Sequence, residues 1–292
     1  MTAERLTIPI RWLGSKVRMR KRILSILDEV PRELYVEPFG GAGAIFFGKE
    51  PERSVYNDKN RPLSFFFFAL KDEKRRRVLE RIAERVPVNA ETFYALRSTL
   101  RSFPDETNEQ KEFFKNLGFF RVDPFNAFAF AFFYVHNFTF GAVPNGPWGG
   151  ETLEKTYRRN LENLDAFGYK LCLTSVYEKD FRVIFDTFDD EKTLFYCDPP
   201  YIGTSSKNYG RGGGPTWDDY DTKALVERLA TLKGSAVLSC YDDELYRPLL
   251  SAGYERRTFD ARTTCARKKE GRALVSRLFT SKRKKRGFYF DG

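Results

Sequence analysis

The chain has 292 residues, enough for one large α/β domain or for a core domain that carries an insertion. Hydrophobic residues make up 41% and charged residues 31%, which predicts a folded protein, and no apolar run approaches the roughly 20 residues that cross a bilayer. The 50 Lys and Arg residues exceed the 40 Asp and Glu residues, and the formal charge of +10 favours a polyanionic partner such as nucleic acid.

The cysteine and histidine content argues against several classes of site. The cysteines are Cys172, Cys197, Cys240 and Cys265. They lie far apart without a CxxC pair, so they predict neither a disulfide framework nor a zinc site, and they indicate a reducing compartment. His136 is the one histidine, and this argues against a histidine-rich metal centre and against a Ser-His-Asp triad. Met1–Lys16 lacks the apolar core of a secretory signal.

The first sixty residues have the order of a mononucleotide-binding unit. Two short segments have helical patterns: Arg18–Leu27 and Ala44–Lys49. Leu34–Pro38 is typical of a short buried strand, and the glycine-rich turn Phe39–Gly43 follows it directly. Ser54–Asn57 predicts a second strand that ends on Asp58. Strand, glycine turn, helix, strand and acid in this order are typical of half of a doubly wound α/β fold.

A different pattern covers residues 64–167. Charged outer faces at helical spacing occur in Lys74–Val86, Thr92–Arg101, Glu109–Phe120 and Glu151–Phe167. Ala127–Phe140 is crowded with phenylalanine, and its spacing does not decide between helix and strand. Gly141–Gly150 holds two prolines and four glycines, which predict a loop. We therefore predict a mostly helical insertion at 64–167 in a core domain made of 1–63 and 168–292.

The alternation of strands and helices resumes after the insertion. Strand candidates are Lys170–Val176, Leu194–Cys197, Ala236–Cys240, Arg256–Phe259 and Leu274–Phe279. Helix candidates are a short segment after Asp180 and Phe181, then Asp221–Leu232 and Glu244–Leu250. The last two strand candidates are separated by a basic loop, Arg262–Arg272, and Ser281–Arg286 forms a basic run near the end.

The glycine turn is the first candidate ligand site. Glycine lets the backbone adopt a positive φ and approach a ligand closely. Gly41 and Gly43 satisfy only the first part of a GxGxxG pattern, because Phe46 takes its third place. Asp58, at the end of the next strand, could accept hydrogen bonds from both hydroxyls of a ribose. The alternative is that Asn57 and Asp58 only cap the helix that follows.

The segment Asp198-Pro199-Pro200-Tyr201 is the most informative one in the chain. Prolines cannot continue a strand, and each residue before a proline is driven out of the helical region, so a rigid bend follows the strand. The bend holds a carboxylate, a proline carbonyl and an aromatic ring at the carboxyl edge of a sheet, where α/β proteins bind ligands. These groups suit an exocyclic amine on a flat base. A plain strand terminator would explain the prolines but not the glycine turn and Asp58 upstream.

With these motifs the chain resembles the Dam-type DNA adenine-N6 methyltransferases, the D12 class in its alpha group. The matching pieces are Arg11–Lys16, Val36–Gly43, Asn57-Asp58, Asp180-Phe181 and Tyr196–Tyr201. Their order and spacing span most of the chain. The resemblance implies a Rossmann-like class I fold with a mixed seven-stranded sheet, and it makes 64–167 the target-recognition insertion. It also implies a cytoplasmic enzyme of a bacterium, archaeon or phage that is associated with the nucleoid. The implied partners are duplex DNA and, as a second candidate, a cognate restriction endonuclease. The resemblance implies no metal.

The resemblance also implies an S-adenosylmethionine (AdoMet) site. Its residues would be Trp12, Lys16, Phe39, Gly40, Gly41, Gly43, Asp58, Asp180, Phe181 and Asp198. Trp12 and Lys16 would lie beside the methionine part of the cofactor and the target base, and Asp58 would hold the ribose. Asp180 and Phe181 would border the adenine of the cofactor.

The predicted reaction is direct methyl transfer to N6 of an adenine. The lone pair of N6 is delocalised into the ring, so hydrogen bonds from both amino protons to Asp198 and a proline carbonyl would favour a pyramidal, nucleophilic nitrogen. The base must leave the duplex to be reached, and Tyr201 would stack on it. Pro199 and Pro200 complete the catalytic set. Alternatives are an enzyme acting on adenine in RNA, a catalytically silent DNA-binding relative, or a cytosine-N4 enzyme, which more often has Ser in place of Asp198.

Two groups of residues are predicted to contact DNA. His136 and Asn137 fall where the family's recognition hairpin has Arg-Tyr-Asn, and we expect them to read base edges, although a histidine in an aromatic stretch is often a core residue. Because these residues depart from the family's pattern, the resemblance does not extend to its GATC target. The basic loop is expected to bind phosphates through Arg262, Arg267, Lys268, Lys269 and Arg272, or else to be a solvated surface loop.

Overall fold

The computed structural model describes residues 6–102, 108–117, 123–143, 145–201, 217–241, 243–260 and 275–281. The strands are β1 Leu34–Glu37, β2 Ser54–Asn57, β3 Thr174–Tyr177, β4 Thr193–Cys197, β5 Ser235–Tyr241, β6 Tyr254–Asp260 and β7 Val275–Ser281. Within the described residues they form one sheet in the order β3-β2-β1-β4-β5-β7-β6. The first five strands of this order are parallel, and β7 is antiparallel to both β5 and β6. The prediction of an α/β fold is confirmed, and five of the strands form a parallel sheet.

Helices cover both faces of this sheet. Those before the insertion and within it are α1 Arg20–Asp28, α2 Arg61–Lys71, α3 Glu73–Ala83, α4 Ala90–Ser102, α5 Asn108–Asn116, α6 Pro124–Phe138, α7 Glu154–Glu162 and α8 Leu164–Lys170. The later ones are α9 Phe181–Phe188, α10 Asp219–Ala230 and α11 Pro248–Ser251. Across the described ranges, no helix combines the length and the apolar character needed to cross a membrane.

The two faces of the sheet belong to two hydrophobic cores, because side chains alternate along a strand. Tyr35 of β1 and Tyr196 of β4 lie in the larger core, which they share with the helices of the insertion. Val36 and Phe195, their neighbours in sequence, lie in the smaller core on the other face with α9 and α10. The insertion therefore packs directly on the sheet.

Helix α6 is the centre of the larger core. Asp123 caps its first turn by accepting a hydrogen bond from the Phe125 backbone N–H, and Pro124 occupies the first helical position. Almost every residue of α6 is buried, including Phe130 and Tyr134. A helix buried all round has no polar stripe, so the spacing of Ala127–Phe140 could not reveal it.

Some predicted elements differ from the observed ones. Helix α2 was not predicted, because its four consecutive phenylalanines leave no polar face; the Asn60 side chain caps it. The helix predicted at Ala44–Lys49 is only a 3-10 turn, Phe46–Gly48. The helix predicted at Glu151–Phe167 is divided at Asn163 into α7 and α8. That predicted at Glu244–Leu250 is a 3-10 turn followed by α11.

Candidate active site

The carboxyl ends of four neighbouring strands bring the predicted site residues to one edge of the sheet. Phe39–Gly43 follows β1, Asp58 follows β2, Asp180 follows β3, and Asp198 follows β4. These strands are adjacent in the order β3-β2-β1-β4. Because all four are parallel, their carboxyl ends form one cleft, which is where open α/β sheets bind ligands.

The glycine turn is held tightly against β2. A Cβ atom at Gly40 would overlap the ring of Tyr56, so this position accepts only glycine. Gly41 has φ of +51°, which glycine adopts without strain. Its N–H donates to Asp58 Oδ2 at 2.9 Å, and its carbonyl accepts a hydrogen bond from the Tyr56 hydroxyl. The turn and Asp58 are therefore one rigid unit.

The Asp58 carboxylate is a suitable acceptor for a sugar. Its second oxygen accepts a hydrogen bond from the Asn60 N–H at 2.8 Å. Asn60, not Asp58, caps α2, by accepting from the Leu63 N–H at 3.1 Å, so capping does not account for Asp58. Burial raises the pKa of Asp58 to about 6 in spite of its two backbone hydrogen bonds. A carboxylate so poorly solvated would gain from two further hydroxyl donors, and this fits a ribose.

Asn57 organises the cleft, a role that the sequence did not reveal. Its side chain is fully buried. The amide nitrogen donates to the carbonyls of Pro38 and Lys179 at 2.9 and 3.0 Å, and the amide oxygen accepts from the Lys179 N–H at 2.8 Å. Asn57 thus ties the loops after β1 and β3 to the end of β2. The sequence signals were a polar residue at the last position of a buried strand and its place in the matching piece Asn57-Asp58, and neither shows these contacts.

Asp198, Tyr201 and Lys16 are in direct contact. The Lys16 ammonium lies 2.8 Å from Asp198 Oδ1 and 4.7 Å from the centre of the Tyr201 ring, and it donates to the Gly14 carbonyl at 3.0 Å. The Tyr201 hydroxyl donates to Asp198 Oδ1 at 3.1 Å. Burial and the nearby Asp198 charge raise the pKa of Tyr201 well above its usual value, so its hydroxyl stays a neutral donor. The site therefore accommodates a nitrogen that carries N–H donors beside a carboxylate and an aromatic face.

Aromatic rings lie beside the glycine turn. A Cβ atom at Gly41 would lie 3.4 Å from Trp12 Nε1. The Trp12 ring is 5.1 Å from that of His136, which in turn is 4.1 Å from that of Phe132. Burial lowers the pKa of His136 to about 4, so the imidazole is neutral near pH 7. His136 therefore lies behind Trp12 as an uncharged, half-buried ring.

The prediction that Asn137 reads base edges is wrong. Asn137 is fully buried in α6. Its amide nitrogen donates to the carbonyls of Pro9 and Phe133, and its amide oxygen accepts from Asn160 Nδ2 at 2.9 Å. These bonds occupy both N–H groups and hold the side chain in the core. The residues of the predicted basic loop, Arg262, Arg267, Lys268, Lys269 and Arg272, lie outside the described part of the chain.

The far end of the cleft combines aromatic and charged side chains. The rings of Phe39 and Phe181 are 5.3 Å apart. Asp180 Oδ1 caps α9 by accepting from the Arg182 N–H at 3.0 Å, and Oδ2 pairs with Lys59 at 2.9 Å. The described residues contain no cluster of His, Cys, Asp and Glu side chains able to hold a metal ion.

Comparison with protein families identifies the chain. Residues 12–264 match the model of the D12 class N6 adenine-specific DNA methyltransferases. The chain belongs to this family. The matched range contains the glycine turn, Asp58, Asp180 and the segment Asp198–Tyr201. The resemblance inferred from the motifs is confirmed.

Individual relatives agree with the family assignment. A DNA adenine methylase of Vibrio cholerae serotype O1 is 29% identical over 276 residues, which cover 92% of this chain and 93% of the relative. A DNA adenine methylase of Haemophilus influenzae is 23% identical, over 85% and 84% of the two chains. The type II methyltransferase M.CviBI of Paramecium bursaria Chlorella virus NC1A is 25% identical, over 66% and 68%.

The D12-class methyltransferase is thus a DNA adenine-N6 methyltransferase. Its family implies a methyl donor of the AdoMet type and DNA as the substrate.

Proposed function

We propose that the enzyme methylates the exocyclic amine of an adenine that has left the duplex. This amine binds between Asp198 and Tyr201. Asp198 and the carbonyl of Pro199 or Pro200 accept the two amino protons, and Tyr201 stacks on the base. AdoMet supplies an electrophilic sulfonium methyl group when it is bound. In this reaction the N6 lone pair would displace the sulfur from the methyl group, Asp198 and the proline carbonyl would hold the two amino protons, and one of these protons would then pass to water. This proposal rests on the position of the Lys16 ammonium group. It donates to Asp198 over the Tyr201 ring, as the amine of the base would do.

Lys16 has to move before the base can bind. Its nitrogen lies where the proposed N6 amine would donate to Asp198, and one oxygen of Asp198 already accepts from both Lys16 and Tyr201. An incoming amine offers the same N–H donors without a net charge. The Lys16 side chain then becomes available to the methionine part of the cofactor or to a phosphate.

We further infer that the cofactor lies along the carboxyl edge of the sheet. Asp58 accepts the ribose hydroxyls, and the glycine turn passes the methionine part close to the backbone. Asp180 and Phe181 border the adenine. The remaining members of the proposed site are Trp12, Lys16, Phe39, Gly40, Gly41, Gly43 and Asp198. The fit rests on the buried carboxylate of Asp58 and on the turn that tolerates no Cβ at Gly40.

Cofactor binding should depend on the ionisation of Asp58. The pKa of Asp58 is about 6, and only the ionised form accepts from both ribose hydroxyls while keeping its backbone bonds. AdoMet affinity should therefore be constant above pH 7 and fall about tenfold between pH 7 and pH 5, as expected for one group titrating near 6. Calorimetric titration of AdoMet across this range measures it, and the cofactor-induced rise in melting temperature should follow the same curve.

Asp58→Ala should weaken AdoMet binding and remove its dependence on pH between 5 and 7. Asp28→Ala is the matched control, because Asp28 is an exposed acid on α1 away from the cleft. Wild-type affinity in Asp58→Ala would place the ribose contact on another residue.

We propose that residues 1–63 and 168–292 form a class I methyltransferase domain with a mixed seven-stranded sheet. The insertion at 64–167 would then select the DNA sequence. Its helices share a core with the face of the sheet that carries Tyr35 and Tyr196, so a recognition surface built on them is fixed relative to the catalytic edge. His136 remains a candidate for a contact with the target base, because it is half-buried beside Trp12.

DNA binding should weaken steeply with salt, because a chain of charge +10 displaces counterions from phosphates. We expect Arg262, Arg267, Lys268, Lys269 and Arg272 to contribute to this slope. Replacing all five with Ala should lower affinity for every DNA sequence alike and flatten the plot of log affinity against log salt by about one unit for each phosphate that is no longer neutralised. Replacing the terminal basic residues Lys282, Arg283, Lys284, Lys285 and Arg286 with Ala is the control. If the slope of log affinity against log salt is unchanged in the loop variant, the loop does not contact DNA and is a solvated surface loop.

Long-read sequencing of DNA from cells that express the protein tests the whole proposal. We expect N6-methyladenine in one short sequence context, and none with Asp198→Ala. Methylation in RNA alone would favour the RNA enzyme, and no modification would favour a silent DNA-binding relative. One relative is named a type II methyltransferase, which is consistent with a cognate endonuclease for this chain. We further propose that the protein acts in the cytoplasm at the nucleoid, and the bacterial and viral relatives support this proposal.

A further inference from the structure

Three aromatic rings from three different segments meet at the far end of the cleft. Phe39 follows β1, Phe181 begins α9 after β3, and Trp217 lies between β4 and α10. Ring centres are 5.4 Å apart for Phe39 and Trp217 and 5.5 Å apart for Phe181 and Trp217. Phe39 and Phe181 belong to the proposed cofactor site. No sequence motif pointed to Trp217.

The orientation of the Trp217 indole is fixed. Its Nε1 donates to Thr222 Oγ1 at 2.9 Å, and the Thr222 hydroxyl donates to the Asp218 carbonyl at 3.1 Å. Trp217 is 8% exposed and Thr222 is fully buried in the first turn of α10. The indole plane lies at 84° to the Phe39 ring, an edge-to-face contact. Trp217 therefore presents a rigid surface to the two phenylalanines.

Helix α10 also contacts Phe181 indirectly, through Arg182. The Arg182 guanidinium lies 4.4 Å from the centre of the Phe181 ring. It pairs with Asp221 of α10 at 2.8 Å and with Asp180 at 3.1 Å. The start of α10 thus contacts the start of α9 twice, through Trp217 inside the fold and through Asp221 at the rim.

We propose that Trp217 is a positioning residue of the cofactor site, which acts through Phe39 and Phe181. A pocket for a flat purine needs aromatic rings with fixed planes, and a group that packs against both phenylalanine rings fixes their planes relative to each other. Trp217 supplies that group, and its hydrogen bond to Thr222 fixes it in turn. This inference rests on the proposed cofactor site and adds to it a residue just before α10 that sets affinity for the adenine part.

The test is binding of S-adenosylhomocysteine to the full chain by calorimetry. Trp217→Ala should raise Kd about tenfold, the scale of removing two packed aromatic neighbours. In activity assays KM for AdoMet should rise by a similar factor, while kcat at saturating AdoMet and the Kd for DNA stay near wild type. Trp148→Phe is the control, because Trp148 packs between Phe93 and Phe138 in the insertion.

Trp217→Phe and Thr222→Val keep the test decisive if Trp217→Ala does not fold. Both remove the same N–H···O bond, so each should weaken binding about twofold to threefold and the double variant should be no weaker than the single ones. Fully additive effects, or wild-type Kd in Trp217→Ala, would overturn the positioning role. If Asp58→Ala still weakens binding in that case, the proposed cofactor site stands without Trp217.

Discussion

Asp198→Asn is expected to lower the rate of methyl transfer by about 10²-fold or more, the scale of removing a preorganised charge-stabilising group. Asp198 Oδ1 accepts from Lys16 at 2.8 Å and from Tyr201 at 3.1 Å, so the carboxylate faces N–H and O–H donors. An asparagine keeps the shape but offers one acceptor oxygen and places an NH₂ group against these donors. It also stabilises the positive charge that develops on N6 much less than a carboxylate does.

Single-turnover kinetics with saturating AdoMet measure this loss. DNA binding should survive, because phosphate contacts dominate it. Asp186→Asn is the control, since Asp186 is an exposed acid on α9. Tyr201→Phe should be milder than Asp198→Asn, because the ring remains and only the 3.1 Å bond to Asp198 is removed. An Asp198→Asn enzyme that methylates at the wild-type rate would refute the mechanism.

Arg20→Met should lower the free energy of unfolding by about 3 kcal/mol, because it leaves buried carbonyl groups without their charged donor. Arg20 is 6% exposed, and its guanidinium donates to the carbonyls of Leu6, Thr7 and Ala44. It thus joins the segment before Trp12 to the end of the glycine turn. Met fills similar space without an N–H group, so the change in stability reports the hydrogen bonds rather than a cavity.

Urea denaturation measures the change as a lower midpoint at constant slope. Lys21→Met removes the same charge from the exposed neighbour of Arg20 and should change stability by less than about 0.5 kcal/mol. AdoMet affinity should fall in Arg20→Met as well, because the turn is no longer anchored at Ala44. Equal stability of the Arg20→Met and Lys21→Met variants would contradict this structural role.

The residues whose chemistry depends on local chain geometry could be predicted from the sequence. The bend at Asp198–Tyr201 follows from two prolines after a buried strand, and the turn at Phe39–Gly43 follows from its glycines. Both patterns lie within a few consecutive residues. Parallel strands then place the ends of β1, β2, β3 and β4 at one edge, so the grouping of these motifs with Asp58 could also be predicted.

The residues that were missed depend on contacts between distant segments. Asn57 contacts Pro38 and Lys179, and Trp217 contacts Phe39 and Phe181, so neither role is visible in its own neighbourhood. Asn137 was misassigned for the same reason, since its burial depends on α6 being enclosed on all sides. A stretch that is apolar in every direction does not show which of its polar residues face the core.

The order of strands in the sheet also has a consequence for synthesis on the ribosome. Strand β1 pairs with β2 soon after both emerge, but its other edge pairs with β4, where Leu34 lies opposite Thr193. The whole helical insertion is made in between, and at about 5–20 residues per second this takes roughly five to twenty seconds. During that interval we expect the nascent chain to expose an unpaired, apolar strand edge that can associate with other chains. We therefore expect soluble yield to depend on chaperones that hold the chain until β4 arrives, and to fall if the insertion is lengthened.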